Sequence, residues 1–173
     1  MRDAASFSAL ETLPDARSVE IRALKPGDRD EFLAAAGRVG PQTLQRRFFG
    51  AKRGFSEKEK AFFLDVDFDR HVAVIALLQE AGRKTIVGSG RYVVAQPGQA
   101  EVAFVVVDAY QGQGIGSMLL RHLAAIARAA GLRELIAEVL PENAPMLKVF
   151  ARSGLPMETR RDSGLVHVAL RLT

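Results

Sequence analysis

Glu101-Val102-Ala103-Phe104-Val105-Val106-Val107, then Asp108-Ala109-Tyr110, then Gln111-Gly112-Gln113-Gly114-Ile115-Gly116 is the stretch whose reading decides the fold. An amphipathic pattern follows it directly, with Ile115, Met118, Leu119, Leu123, Ile126, Ala127 and Ala130 at helical spacing and Gly131 as the stop. Strand, glycine loop, helix is the order in which a backbone builds an anion site, because the first helical N–H groups lack intrahelical partners and point outward. Gly112, Gly114 and Gly116 let the chain turn sharply and lie flat against a bulky anion, so the expected ligand is a phosphate. An ordinary strand-to-helix turn is the plain alternative. Two nucleotide loops fit badly: Ile115-Gly116-Ser117 offers no P-loop lysine, and Ser117 stands where a Rossmann loop needs its third glycine.

The chain has 173 residues, 48% hydrophobic and 25% charged, which suits one globular domain with a sizeable core. Without cysteine it has no disulfide, no thiolate metal site and no Cys nucleophile. The segment Met1-Arg2-Asp3-Ala4-Ala5-Ser6 lacks the apolar core of a signal peptide, and no apolar run is long enough to span a bilayer, so a cytoplasmic protein without membrane contact is expected. The net charge of +4 is scattered over Arg46-Arg47, Lys52-Arg53, Lys58, Lys60 and Arg160-Arg161. That spread gives weak attraction to acidic partners and phosphates; no aromatic-studded strand accompanies it, so nucleic acid is not expected as a partner. His71, His122 and His167 are isolated, and no metal site is expected.

In chain order, residues 1–17 read as a tail or strap and 18–173 as a single domain. Val19 to Leu24 alternates as a first strand. Asp28 is placed to cap a helix through about Arg38, Pro41 to start another over Gln42 to Phe49 ending at Gly50, and Ser56-Glu57-Lys58-Glu59 to form a capping box ahead of a third. Val72 to Leu78, Thr85 to Val94 and Glu101 to Val107 read as an antiparallel meander with turns at Ala81-Gly82-Arg83-Lys84 and Pro97-Gly98. Glu134 to Leu140, reached by a helical crossover, should run parallel to its predecessor. A last helix carrying Met146, Leu147, Phe150 and Ala151, and a closing hairpin of Met157 to Arg161 and Leu165 to Leu172, complete an α/β (α+β) reading. If the strands ending at Val107 and Leu140 splay apart, each exposes backbone groups that an extended amide ligand can satisfy.

Gln111-x-x-Gly114-x-Gly116 between an apolar strand and a helix resembles the acyl-CoA pyrophosphate loop of the GNAT superfamily of N-acetyltransferases. Asn143, Phe150 and Ser153-Gly154-Leu155 fall where that family carries Asn, an aromatic residue and a Gly-aromatic pair. The resemblance extends from about Ser18 onward and is closest to the bacterial protein-lysine acetyltransferase branch. It implies a mixed, mostly antiparallel sheet with a splayed parallel pair and flanking helices, and acetyl-CoA as co-substrate. It also implies backbone contacts from Phe104, Val105 and Val106, and a phosphate cradle from Gln111, Gly112, Gln113, Gly114, Ile115 and Gly116. Asn143 is implied at the pantetheine arm, with a helix N-cap as its other role, and Arg152 near the nucleotide end. A substrate-side wall is implied around Phe48 and Phe49; core aromatics beside surface arginines are the plain reading of Arg46-Arg47-Phe48-Phe49.

Acyl transfer to an amine needs the amine neutral, and a lysine with pKa near about 10.4 is almost wholly protonated at neutral pH. Glu101 matches the family's catalytic glutamate; Glu138, in an otherwise apolar strand, is the second candidate, either orienting the amine or acting as base. Phe150 departs from the many members with a tyrosine there, so water protonates the leaving thiolate, or it leaves unprotonated. Tyr110 and Tyr92 are lesser alternatives. The acceptor expected is a protein lysine. Acetylation of a small amine, or a non-catalytic acyl-CoA sensor, are the alternatives, with the chain a monomer or homodimer.

Overall fold

A computed structural model describes residues 4–48 and 55–173, leaving Met1 to Asp3 and Phe49 to Gly54 outside. Among the described residues the strands are β1 Ser8–Thr12, β2 Ser18–Ala23, β3 His71–Glu80, β4 Arg83–Gln96, β5 Gln99–Val106, β6 Glu134–Val139, β7 Met157–Asp162 and β8 Leu165–Arg171. They form one sheet in the spatial order β1-β2-β3-β4-β5-β6-β8-β7. Only β5 with β6 is parallel; every other pairing is antiparallel. The helices are α1 Arg29–Ala36, α2 Pro41–Phe48, α3 Glu57–Leu64, α4 Ile115–Ala129 and α5 Ala144–Ala151. None among the described residues is long and apolar enough to cross a membrane.

The two faces of the sheet are covered differently. On one, α4 buries Leu119, Leu120, Leu123 and Ala127 in a core that includes Val74, Val102, Phe104 and Leu135. Close approach there depends on Gly90, where an added Cβ would stand 2.8 Å from Leu123 Cδ1. On the other face, Phe32 and Ala35 of α1 cover Ala73, Ile75, Leu77 and Ile86 in a smaller cluster, with Phe63 and Leu64 of α3 packed against it.

Most expected elements form close to their expected ends. The β3–β4 turn places Ala81 (φ 51°) and Gly82 (φ 76°) both in the left-handed region, as a two-residue hairpin needs. The capping box on α3 is complete, with Glu59 N donating to Ser56 Oγ at 3.1 Å and Ser56 N to Glu59 Oε1 at 3.0 Å. The expected end of α2 at Phe49 and Gly50 lies outside the described residues.

One reading gains detail and one is corrected. Within residues 1–17, the segment Ser8–Thr12 is an edge strand paired with β2 from Ser8↔Arg22 to Thr12↔Ser18. Its Glu11 accepts a hydrogen bond from Arg121 and lies 2.7 Å from His122 Nε2, tying β1 to α4. Five residues with Leu10 exposed give too little alternation to signal a strand. Asp28 stands at the N-cap of α1 but makes no capping bond. It accepts instead from both Arg22 Nη atoms at 2.8 Å and from Lys25 N at 2.7 Å, an ion pair that holds its carboxyl below the usual range.

Candidate active site

The parallel pair is short. β5 and β6 register only from Gln99↔Glu134 to Glu101↔Ile136, although β5 continues to Val106 and β6 to Val139. Beyond Glu101 the strands part and a cleft of about 370 Å³ opens between them, closed at one end by the start of α4 and on its flank by α5. Val107 N donates to Val87 O on β4. Backbone groups alternate along a strand, so those of Val105 also turn to β4 while those of Phe104 and Val106 face the cleft. The Phe104 ring is core, 5.6 Å from the Phe150 ring.

The glycine loop meets the cleft at its β5 end. Gly112 (φ 78°) and Gly114 (φ 91°) are left-handed, and Gly114 occupies the N-cap of α4 without a side-chain capping bond. A Cβ at Gly114 would meet nothing within 4 Å, so backbone conformation demands the glycine. The first N–H groups of α4 therefore open into the cleft, a geometry suited to a pyrophosphate. Gly112, Gly114, Ile115 and Gly116 line it; Gln113 does not, and its Oε1 accepts from Arg17 Nη2 at 2.6 Å. Gln111 also lines it, but its side-chain Nε2 donates to Val106 O at 3.0 Å and Thr43 Oγ1 at 3.1 Å, tethering α2 to the loop.

At the α5 flank, Asn143 is buried and caps the helix, accepting from Met146 N at 3.4 Å. It also lines the cleft, as does Arg152. Lys148, one turn before Arg152, adds a second cation that the sequence did not single out. These groups, with the open start of α4, fit the extended, multiply phosphorylated arm of coenzyme A. Phe150 is buried against Phe104, and Tyr110 lines the cleft half-buried. Tyr92 is sealed in the core, where burial raises its hydroxyl to about 12.

Glu101 stands exposed at the last paired residue before the strands part. Register partners in a parallel pair share a face, so Ile136, and Glu138 two residues on, lie on the same face as Glu101. Glu138 is likewise exposed, with His167 Nδ1 3.6 Å from its Oε1. Arg47 of α2, expected at the surface, is half-buried and lines the same cleft. Burial depresses its guanidinium, and attraction from Glu101 opposes that. Local periodicity carries no signal for Arg47, because its neighbour Glu101 is 54 residues away in sequence. Phe49 and the side chain of Phe48 lie outside the described residues. Among the described residues no cluster of three His, Asp or Glu groups is arranged to hold a metal.

Comparison with known proteins gives a consistent picture. The Acetyltransferase (GNAT) family matches residues 42–155. Acetyltransferase PA5475 of Pseudomonas aeruginosa is 35% identical over 127 residues, covering 73% of this chain and 68% of that protein. Acetyltransferase Pat of Mycolicibacterium smegmatis is 31% identical over 148 residues, and the match covers 84% of this chain and 43% of Pat. The crystal structure of the GNAT domain of S. lividans PAT superposes with a TM-score of 0.85 at 31% identity, covering 95% of this chain and 96% of that domain.

Proposed function

Because the chain belongs to the GNAT acetyltransferase family and is an acetyl-CoA-dependent acyltransferase, we propose that it acetylates a protein lysine side chain directly, with Glu101 as base. The observation that carries this is the position of Glu101, exposed on the last paired residue at the mouth of the cleft. Two exposed carboxylates on one face, Glu101 and Glu138, attract a cationic side chain presented from outside, as a protein surface presents lysine.

In this reading the backbone of Phe104 and Val106, the loop from Gln111 to Gly116, and Asn143, Lys148 and Arg152 hold acetyl-CoA, which supplies an acyl thioester. Gln113 contributes through its backbone, since its side chain is committed to Arg17. Glu101 accepts the proton of the incoming ammonium, the freed nitrogen bonds to the carbonyl carbon, the C–S bond breaks with its electrons on sulfur, and the second proton that the nitrogen sheds as it becomes an amide passes to water. Glu138 orients the amine. Phe150 has no proton to give, so the thiolate departs as the anion or takes a proton from water.

Glu101→Gln is the direct test. Removing a general base lowers turnover by about 10²–10⁴-fold, while acetyl-CoA affinity by calorimetry should be unchanged. Thioester consumption with a lysine peptide reads the first quantity. Equal loss of both would show that Glu101 is structural.

A further inference from the structure

The α1–α3 face of the sheet holds a charge that the reaction above does not use. Arg91 lies on β4 opposite Ala103 of β5 and is 7% exposed. Its Nη1 donates to Phe63 O at 3.0 Å and to His71 Nε2 at 2.8 Å. The Phe63 and Phe32 rings lie 4.9 and 6.0 Å from its Cζ. Among the described residues no carboxylate pairs with it, and the sequence of 49–54 contains no Asp or Glu. Nε and Nη2 make no hydrogen bond among the described residues, and since no fully buried side-chain nitrogen there lacks a partner, each keeps a sliver of exposure toward the neighbouring space.

The space beside Arg91 is a cavity of about 80 Å³ lined by Phe32, Phe63, Ser89, Ala103 and Val105. It shares Arg47, Ala103, Phe104 and Val105 with the acyl-transfer cleft, so a chain lying on β5 can enter it. One water needs roughly 10–15 Å³ of such volume, so the cavity takes about half a dozen heavy atoms. Burial and the nearby Arg47 bring the Arg91 guanidinium down to about 9, the response of a cation that lacks a counter-charge. A sheltered guanidinium with hydrogen bonds but no counter-charge is unfavourable, and its planar edge of two N–H donors without partners matches a carboxylate.

We propose that Arg91, with Arg47 at the mouth, is a subsite for the carboxylate of a short acidic chain on the ligand that reacts in the cleft. This rests on reading the cleft as the acyl-transfer site. The carboxylate is a spectator: it fixes the chain and leaves the bond changes at the thioester as they are. It can belong to the acyl group, as in a succinyl thioester carried to a protein lysine, or, where a small amine takes the place of the protein lysine, to an amino-acid acceptor.

Two comparisons separate these sources. In the first, succinyl-CoA and butyryl-CoA, which differ at the chain end, are titrated into the protein by calorimetry with acetyl-CoA as reference. In the second, acetyl transfer to alanine is compared with transfer to ethylamine. Charge-assisted hydrogen bonds of this kind favour the carboxylate-bearing member by about tenfold or more, in one comparison or the other. Arg91→Met should bring that ratio near unity. Should Arg91→Met fail to fold by circular dichroism, Arg91→Lys, which keeps the charge and loses the fork, should reduce it. A wild-type ratio near unity in both comparisons, or one unchanged in a folded variant, overturns the subsite. Failure to bind acetyl-CoA at all would instead overturn the reading of the cleft.

Discussion

The two faces of the sheet solve different problems with different materials. On the α4 face the protein offers a continuous apolar core and, at its margin, a loop whose binding groups are backbone N–H and C=O. On the α1–α3 face the core is smaller and admits buried polar groups: Asp28, His71 and Arg91. In the proposed reading the first face grips acetyl-CoA through the backbone of consecutive residues, which most side-chain changes leave in place. The second is assembled from side chains on α1, α2, α3, β3 and β4, so its properties hang on individual residues. Variants should therefore separate: changes at the glycine loop strike affinity for acetyl-CoA, and changes under α1 strike stability.

The sharpest test is Gly114→Glu. A Cβ at this position meets nothing within 4 Å, so the fold should survive with the modest strain of a left-handed residue at φ 91°. The new carboxylate faces the place where phosphates are expected, and like charges so juxtaposed disfavour binding by several kcal/mol, about a thousandfold in affinity. Calorimetry with acetyl-CoA and a melting curve give the two readouts. A normal affinity in the folded variant would erase the contrast between the faces.

That contrast also explains what the sequence disclosed. Glu101 to Gly131 was readable because strand, loop and helix announce themselves through alternation, glycine and 3.6-residue periodicity, all local signals. The parallel pairing of β5 with β6 followed from the crossover, and their splay, with the cleft groups on Asn143 and Phe150, from a motif resemblance. Arg91 and Arg47 gave no such signal. An arginine in a strand or short helix reads as surface, and only the long-range meeting of α2, β4 and β5 buries them. Asp28 misled for a related reason: a carboxylate just before a helix fits a cap locally, yet Arg22 on the neighbouring strand offers two charged donors.

Asp28→Ala tests the second face at its most polar point. The Arg22–Asp28 pair is largely sheltered, with side-chain exposures of 17% and 10%, and Asp28 also receives Lys25 N. Removing one partner of a sheltered pair leaves the other uncompensated, so unfolding free energy by urea titration should fall by about 3 kcal/mol. Acetyl-CoA affinity of the folded fraction should not change. A loss below about 0.5 kcal/mol would mean that the pair behaves as an exposed one.

The smallest effect expected is a pH dependence at His71. Arginine can only donate, so His71 Nε2 accepts from Arg91 and the neutral ring carries its proton on Nδ1, which is satisfied by the Asp65 backbone. Burial and Arg91 depress the pKa of the ring, while the carboxylates of Asp65 and Asp67 oppose the shift without reversing it. A histidine whose folded pKa lies below its unfolded value stabilises the fold above the unfolded pKa of about 6.5. That contribution is lost as pH falls from there toward the folded value. Melting temperature should therefore decline as pH is lowered from about 7 to 5, by about 2–4 °C for each kcal/mol surrendered. In His71→Gln, whose side-chain carbonyl can still accept from Arg91 but cannot titrate, the slope should be shallower. An identical slope in both proteins would assign the decline to carboxylates elsewhere, and would mean that His71 contributes nothing to the pH dependence of the α1–α3 face.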